Sequence, residues 1–144
     1  MRALVARLPG IVAAFWWGSL STIGFLVVPL LFKHLATPAI AGGMAARLFT
    51  AQTWVSIVCA LLLLMVSRSA RSPETADRVR AVLPFILAGL LLALLAEFGV
   101  APRIVARDNL PLWHAVGSAM YLLQWLSAAI VLWRLQGPAP RGAR

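Results

Sequence analysis

Four uninterrupted apolar runs constrain this chain more than any other feature. Ile11–Phe32 extends 22 residues without a charge, and Leu48–Val66 extends 19. Ala81–Ala101 covers 21 residues with Glu97 as its single charge, and Ala115–Trp133 covers 19. A bilayer core about 30 Å thick needs about 20 apolar residues per helix. No alternation of apolar and polar residues competes with these runs, and isolated strands could not cross lipid with their backbone groups unpaired. Apolar residues make up 62% of the chain and charged residues 12%. Soluble domains hold roughly 45–50% and about 25%. A chain of 144 residues has too little interior to hide that surplus, so it must face lipid.

The expected fold is therefore all-α, an integral membrane four-helix bundle with spans at about 11–32, 48–66, 81–101 and 115–133. Residues 1–136 form one domain on this reading, and 137–144, rich in Pro and Gly, form a disordered cytoplasmic tail. Arg2 and Arg7 resemble the start of a signal peptide, but the apolar run after them exceeds the usual 7–15 residues, so the first helix is read as uncleaved.

Charge placement sets the expected orientation. The net charge of +9 comes from clusters between the spans, not from one basic face, which argues against nucleic acid and for anionic lipid headgroups. Nine basic residues (Arg2, Arg7, Arg68, Arg71, Arg78, Arg80, Arg134, Arg141 and Arg144) fall on the side of the termini. Four (Lys33, Arg47, Arg103 and Arg107) fall on the other. The positive-inside rule places both termini in the cytoplasm. Trp16, Trp17 and Trp133 are expected at the inner interface, Trp113 at the outer one, and Trp54 and Trp125 between helices. Cys59 lies alone in an apolar run, which leaves no intramolecular disulfide and suggests inert packing.

Small residues recur every fourth position at Ala14, Gly18 and Thr22 and at Gly42, Ala46 and Thr50, a spacing that lets membrane helices approach closely. Val28-Pro29 ahead of Lys33 loosely echoes Val100-Ala101-Pro102 ahead of Arg103, so a duplicated helical hairpin is conceivable.

Drawn on this topology, the polar residues gather at the outer face. Lys33 and His34 end the first helix; Met44 and Arg47 open the second; Glu97 and Arg103 close the third; Asp108 and His114 lead into the fourth. Glu97 lies about four positions inside its span, roughly 6 Å deep. A carboxylate there is costly unless paired, protonated or wetted, and Arg47 is the expected partner. The pair would either shape an outward polar cavity or fix helix register. His114, Ser118, Tyr121 and Trp125 share one face of the fourth helix.

Function follows only coarsely. Phosphate-binding loops, paired carboxylates and zinc-protease spacing are absent from the sequence, so no catalytic residue is assigned and no enzyme activity is expected. The leading expectation is a small non-enzymatic inner-membrane protein, accessory or transport-related, with no cofactor. Partners are the bilayer and its anionic headgroups, and another membrane protein or further copies of the chain. One alternative is a redox module binding haem or copper through His34, Met44 and His114. Another is a structural subunit of a larger membrane complex.

The run Trp17-Gly18-Ser19-Leu20, then Val28-Pro29-Leu30-Leu31-Phe32, Ala41-Gly42 and Ala46-Arg47-Leu48-Phe49, resembles the first half of the bacterial membrane family called domain of unknown function 4149. That family is similar to transmembrane protein 205. Phe98-Gly99 with Pro102, and Trp113-His114 with Ser118, Tyr121-Leu122 and Gln124, resemble its second half. The resemblance, from about Leu8 to Arg134, implies four helices in a bacterial inner membrane and supplies no reaction.

Overall fold

The computed structural model describes residues 2–68 and 73–136. Every regular element among them is helical: α1 (Arg2–Thr22), a π-helical turn (Ile23–Val27), α2 (Val28–His34), α3 (Pro38–Arg68), α4 (Pro73–Leu95), a second π-helical turn (Ala96–Val100), α5 (Ala101–Val105) and α6 (Leu110–Gln136). Four stretches are long and apolar enough to cross a membrane: Arg7–His34, Pro38–Val66, Arg80–Val105 and Leu110–Gln136. These rods are longer than the apolar runs, because helix extends into flanks such as Pro38–Arg47 and Leu110–His114. The tail 137–144, expected to be disordered, lies outside the described residues.

Each rod packs on the two beside it in sequence order, and the fourth returns to the first. The ring is closed most firmly between the third and fourth spans. One end of the bundle, the terminal end, carries Arg7, Arg80 and Gln136. The other carries the two tight connections and is called the hairpin end.

Local chemistry explains both hairpin turns. Thr37 precedes Pro38 at the start of α3, and its Oγ1 accepts the backbone N–H of Ile40 at 3.3 Å. A hydroxyl cap followed by proline at the first helical position satisfies an orphan donor and pre-sets the backbone. After α5 the Asp108 N–H bonds the Arg103 carbonyl at 3.0 Å and the Arg107 N–H bonds the Ile104 carbonyl at 3.1 Å. That pair of bonds is a Schellman cap, and it puts Arg107 at φ 57° where glycine is the usual occupant.

The core belongs to the terminal half. Trp16 is fully buried, and so are Leu20, Ala60, Val82, Ile86, Ala128 and Val131. The Trp16 indole donates to Ser56 Oγ at 3.0 Å and lies over Gly89, where a Cβ would come within 2.8 Å of its Cη2. One side chain of the first span thus touches the second and third. This corrects the interfacial placement of Trp16: an amphipathic ring moves inside once the bundle supplies a hydroxyl for its N–H. Trp17 is also drawn inward, 5.7 Å from the Trp125 ring. Trp54 is 60% exposed and faces outward, against expectation, whereas Trp133, 82% exposed, stays on the surface.

The first small-residue stripe faces outward, and of the second only Thr50 bonds another span, through Glu97. Ala14 and Thr22 are exposed, and a Cβ on Gly18 or Gly42 would meet nothing within 4 Å. Close approach occurs at Gly24 and Gly89 instead.

The echo between the two hairpins has a structural counterpart. Pro29 and Pro38 stand nine residues apart, as do Pro102 and Pro111. Each π-helical turn begins six residues before the first proline of its pair. The hydrogen-bond ladder shifts register there: Val28 N–H reaches Ile23 O, and Ala101 N–H reaches Ala96 O. The next residue in each case is proline, which has no N–H to donate, so the return to α-register falls where a donor is already missing.

Candidate functional site

Polar side chains inside the bundle are few and mostly bonded to one another. Gln52 Nε2 donates to Ser19 Oγ at 2.9 Å, and Ser19 Oγ donates to the Trp16 carbonyl at 2.8 Å. Gln124 Nε2 donates to Ser56 Oγ at 2.9 Å, so Ser56 receives bonds from both the first and the fourth spans. Trp125 Nε1 donates to Ser21 Oγ at 2.8 Å. In hydrocarbon an unpaired amide or hydroxyl is costly, and these bonds tie specific faces together at about 0.6 kcal/mol each. Ser19 and Gln124 entered above only through the family resemblance, and Gln52 and Ser56 did not enter at all. Their signal was present, since uncharged polar residues inside apolar spans mark helix contacts, with Gln52 and Ser56 one helical turn apart.

Alignment of the two hairpins on their prolines sets Gly24 against Glu97 and Tyr121 against Leu48. The two π-helical turns are built differently at those positions. In the first, Tyr121 from the fourth span donates its hydroxyl to the Leu20 carbonyl at 2.7 Å, with the Gly24 backbone beside the same oxygen. A side chain inserted into the i→i−4 ladder is a recognised cause of a local bulge. Any Cβ on Gly24 would collide with Tyr121 Cε1, so glycine is required here by the close approach. The Tyr121 ring also meets Phe49 edge-on, centroids 5.2 Å apart, across the diagonal of the bundle.

The second turn carries Glu97, half-buried, whose Oε1 accepts the Thr50 hydroxyl at 2.8 Å. Leu48, at the position equivalent to Tyr121, brings no hydroxyl. Arg47 does not pair with Glu97; it is exposed, and no ion pair is found among the described residues. The physical reason is desolvation: burying a guanidinium costs more than one pair returns, and a long side chain can follow the surface outward instead. Glu97 also lies deeper along its rod than expected. The helix runs on to Val105, eight residues or about 12 Å further. Met44 and Arg47 likewise sit well inside α3 and do not open it.

The remaining outer residues share an end of the bundle without forming a cluster. Lys33, His34, Asp108 and His114 are exposed. Arg103 bonds the Gly99 carbonyl at 2.6 Å and lies 4.4 Å above the Trp113 ring. That cation–π contact fastens the third span to the fourth. The fourth-helix stripe divides: Tyr121 and Trp125 pack against the first span, whereas His114 and Ser118 are exposed. Met44 is 44% exposed, and no group of three His, Cys, Asp or Glu residues able to hold a metal occurs among the described residues.

Beyond the π-helical turns the hairpins part. α2 packs on α3 and α5 packs on α6, each within its own hairpin, and neither makes substantial contact with the other hairpin. Glu97 and Thr50 therefore lie where the packed half gives way to the divided one.

Four apolar rods in a closed ring, with a sparse polar interior, define a multi-pass helical membrane protein. The chain belongs to the family described as Domain of unknown function (DUF4149), whose model matches residues 11–110. No curated protein and no solved structure matches it.

Proposed function

We propose that the chain is a small non-enzymatic membrane protein, accessory or transport-related, in which the divided hairpin half is the working part and Glu97 its central group. The observation that carries this reading is the inequality of the two π-helical turns. One is plugged by Tyr121 against Gly24; its counterpart bears a carboxylate held only by a threonine hydroxyl. Ionisable residues inside membrane spans are expensive and tend to mark functional paths.

We place the chain in a bacterial inner membrane, and the excess of basic residues on the terminal side supports an orientation with the hairpin end facing outward. Cysteines introduced at Ser72 and Gly142 in a Cys59→Ser background should resist an impermeant maleimide applied to intact cells. Labelling from outside would reverse the orientation.

Transport is tested in sealed proteoliposomes under imposed gradients of protons, alkali cations and copper. Flux of one of them, lost in Glu97→Gln with an unchanged gel-filtration profile, supports the reading. Absence of flux for all three removes transport and leaves an accessory role. A second reading, a subunit of a larger assembly, is favoured by the groove of about 490 Å³ between the first two spans. Gly18, Thr22 and Ala51 line it, so an outward-facing small-residue surface remains uncovered. Copurification with a stable membrane partner, lost in Gly18→Leu, would support that reading.

A further inference from the structure

A second groove opens at the terminal end, between the start of the first span and the end of the fourth. It holds about 360 Å³ and is lined by Arg7, Gly10, Ile11, Ala14, Leu135 and Gln136. Its chemistry is graded along the helix axis. Arg7 and Gln136, both exposed, stand at the mouth. Gly10 and Ala14 form a floor with almost no side chain, and a Cβ on Gly10 would meet nothing within 4 Å. Ile11 and Leu135 wall it with hydrocarbon. From Arg7 to Ala14 the groove covers about 10 Å of helix.

We infer that this groove binds one anionic phospholipid, its phosphate at Arg7 and Gln136 and an acyl chain laid over Gly10 and Ala14. Charge complementarity selects the headgroup: a guanidinium presents a planar set of donors suited to phosphate oxygens. Arg7 is open for this role, because among the described residues it has no acidic partner. Arg134, at the same end, is otherwise engaged. It donates to the Ala81 carbonyl at 3.1 Å and lies 4.8 Å from the Phe85 ring centroid. The apolar remainder selects a lipid over a free anion, since a soluble phosphate would leave the Gly10–Ala14 floor unfilled. Its short length disfavours a partner helix, which needs a far longer seam to reach the roughly 1,000 Å² of a stable interface. The site is independent of the role assigned to Glu97, which lies in the opposite half of the bundle.

The test is native mass spectrometry of the full chain in a neutral detergent, titrated with dioleoylphosphatidylglycerol or dioleoylphosphatidylcholine. The expected result is preferential retention of one phosphatidylglycerol, weakened roughly fivefold in Arg7→Gln, as expected for one surface arginine. Arg80→Gln, an exposed arginine at the same end, should leave retention unchanged. Ala14→Leu fills the floor from an exposed position and should reduce retention without affecting folding. Equal retention of the two lipids overturns the proposal, as does an equal loss in Arg7→Gln and Arg80→Gln, which would mean diffuse attraction. Displacement of the lipid by millimolar inorganic phosphate also overturns it, because the groove would then recognise the anion without the chain.

Discussion

The two π-helical turns occupy equivalent places in two similar hairpins, yet only one of them is filled. At Ile23–Val27 the fourth span sends Tyr121 across to the Leu20 carbonyl, and Gly24 makes room for the ring. At Ala96–Val100 the position of that glycine holds Glu97, and the second span supplies only the Thr50 hydroxyl. The difference is one of packing, since two equivalent backbone turns are closed by different side chains. A plugged turn contributes rigidity, whereas one bearing a carboxylate keeps a charge-capable group where packing ends.

The largest test of this contrast exchanges glycines. Gly24→Val should cost about 1–3 kcal/mol, the usual range for overpacking, measured by thermal unfolding in detergent. Gly99→Ala, in the other turn, faces open space and should be neutral or stabilising by up to about 1 kcal/mol through helix propensity. Equal losses at both glycines would erase the distinction.

Removing the plug should have a smaller effect. Tyr121→Phe keeps the ring contact with Phe49 and loses one interhelical hydrogen bond, at a cost of about 1 kcal/mol. Amide hydrogen exchange should quicken around Leu20–Gly24 and remain unchanged around Ala93–Glu97; acceleration in both places would mean the turns are coupled. Smaller again, Thr50→Val should cost about 0.6 kcal/mol, the mean for a polar contact between membrane helices. In a Glu97→Gln background the amide oxygen still accepts the hydroxyl, so the Thr50→Val cost should be nearly retained. Its disappearance there would show that the carboxylate charge sustains the contact.

The smallest effect is expected away from both turns. Arg107 sits at φ 57° in the Schellman cap, and Arg107→Gly should raise stability by about 0.5 kcal/mol. Because the cap follows the second π-helical turn and not the first, the gain should be confined to protection of residues 101–110. A gain spread over both hairpins would show that the divided half moves as one unit.

The spans were legible because hydropathy is additive along the chain, and length alone decides whether a helix can cross lipid. Their ends were less so: the small-residue stretch Gly42–Arg47 is helical because Thr37 and Pro38 start α3 well before the apolar run. The candidate site was partly visible. Glu97 stood out as the one charge inside a span, but its partner did not, since Arg47 and Thr50 are equally plausible neighbours in sequence. Trp16 shows the same limit, because its hydroxyl acceptor lies 40 residues away in another helix.

The sequence by itself determined four membrane-crossing helices, the gathering of Lys33, His34, Arg47, Arg103, Asp108 and His114 at one end, and the paired prolines of two hairpins. Those properties depend on composition and on position along one dimension. Only the tertiary structure decided that Tyr121 plugs one turn, that Thr50 holds Glu97 in the other, and that Trp16 becomes the centre of the core. Such choices depend on which faces meet after the rods associate. In lipid the hydrophobic effect does not set those faces, so close packing and a few hydrogen bonds do.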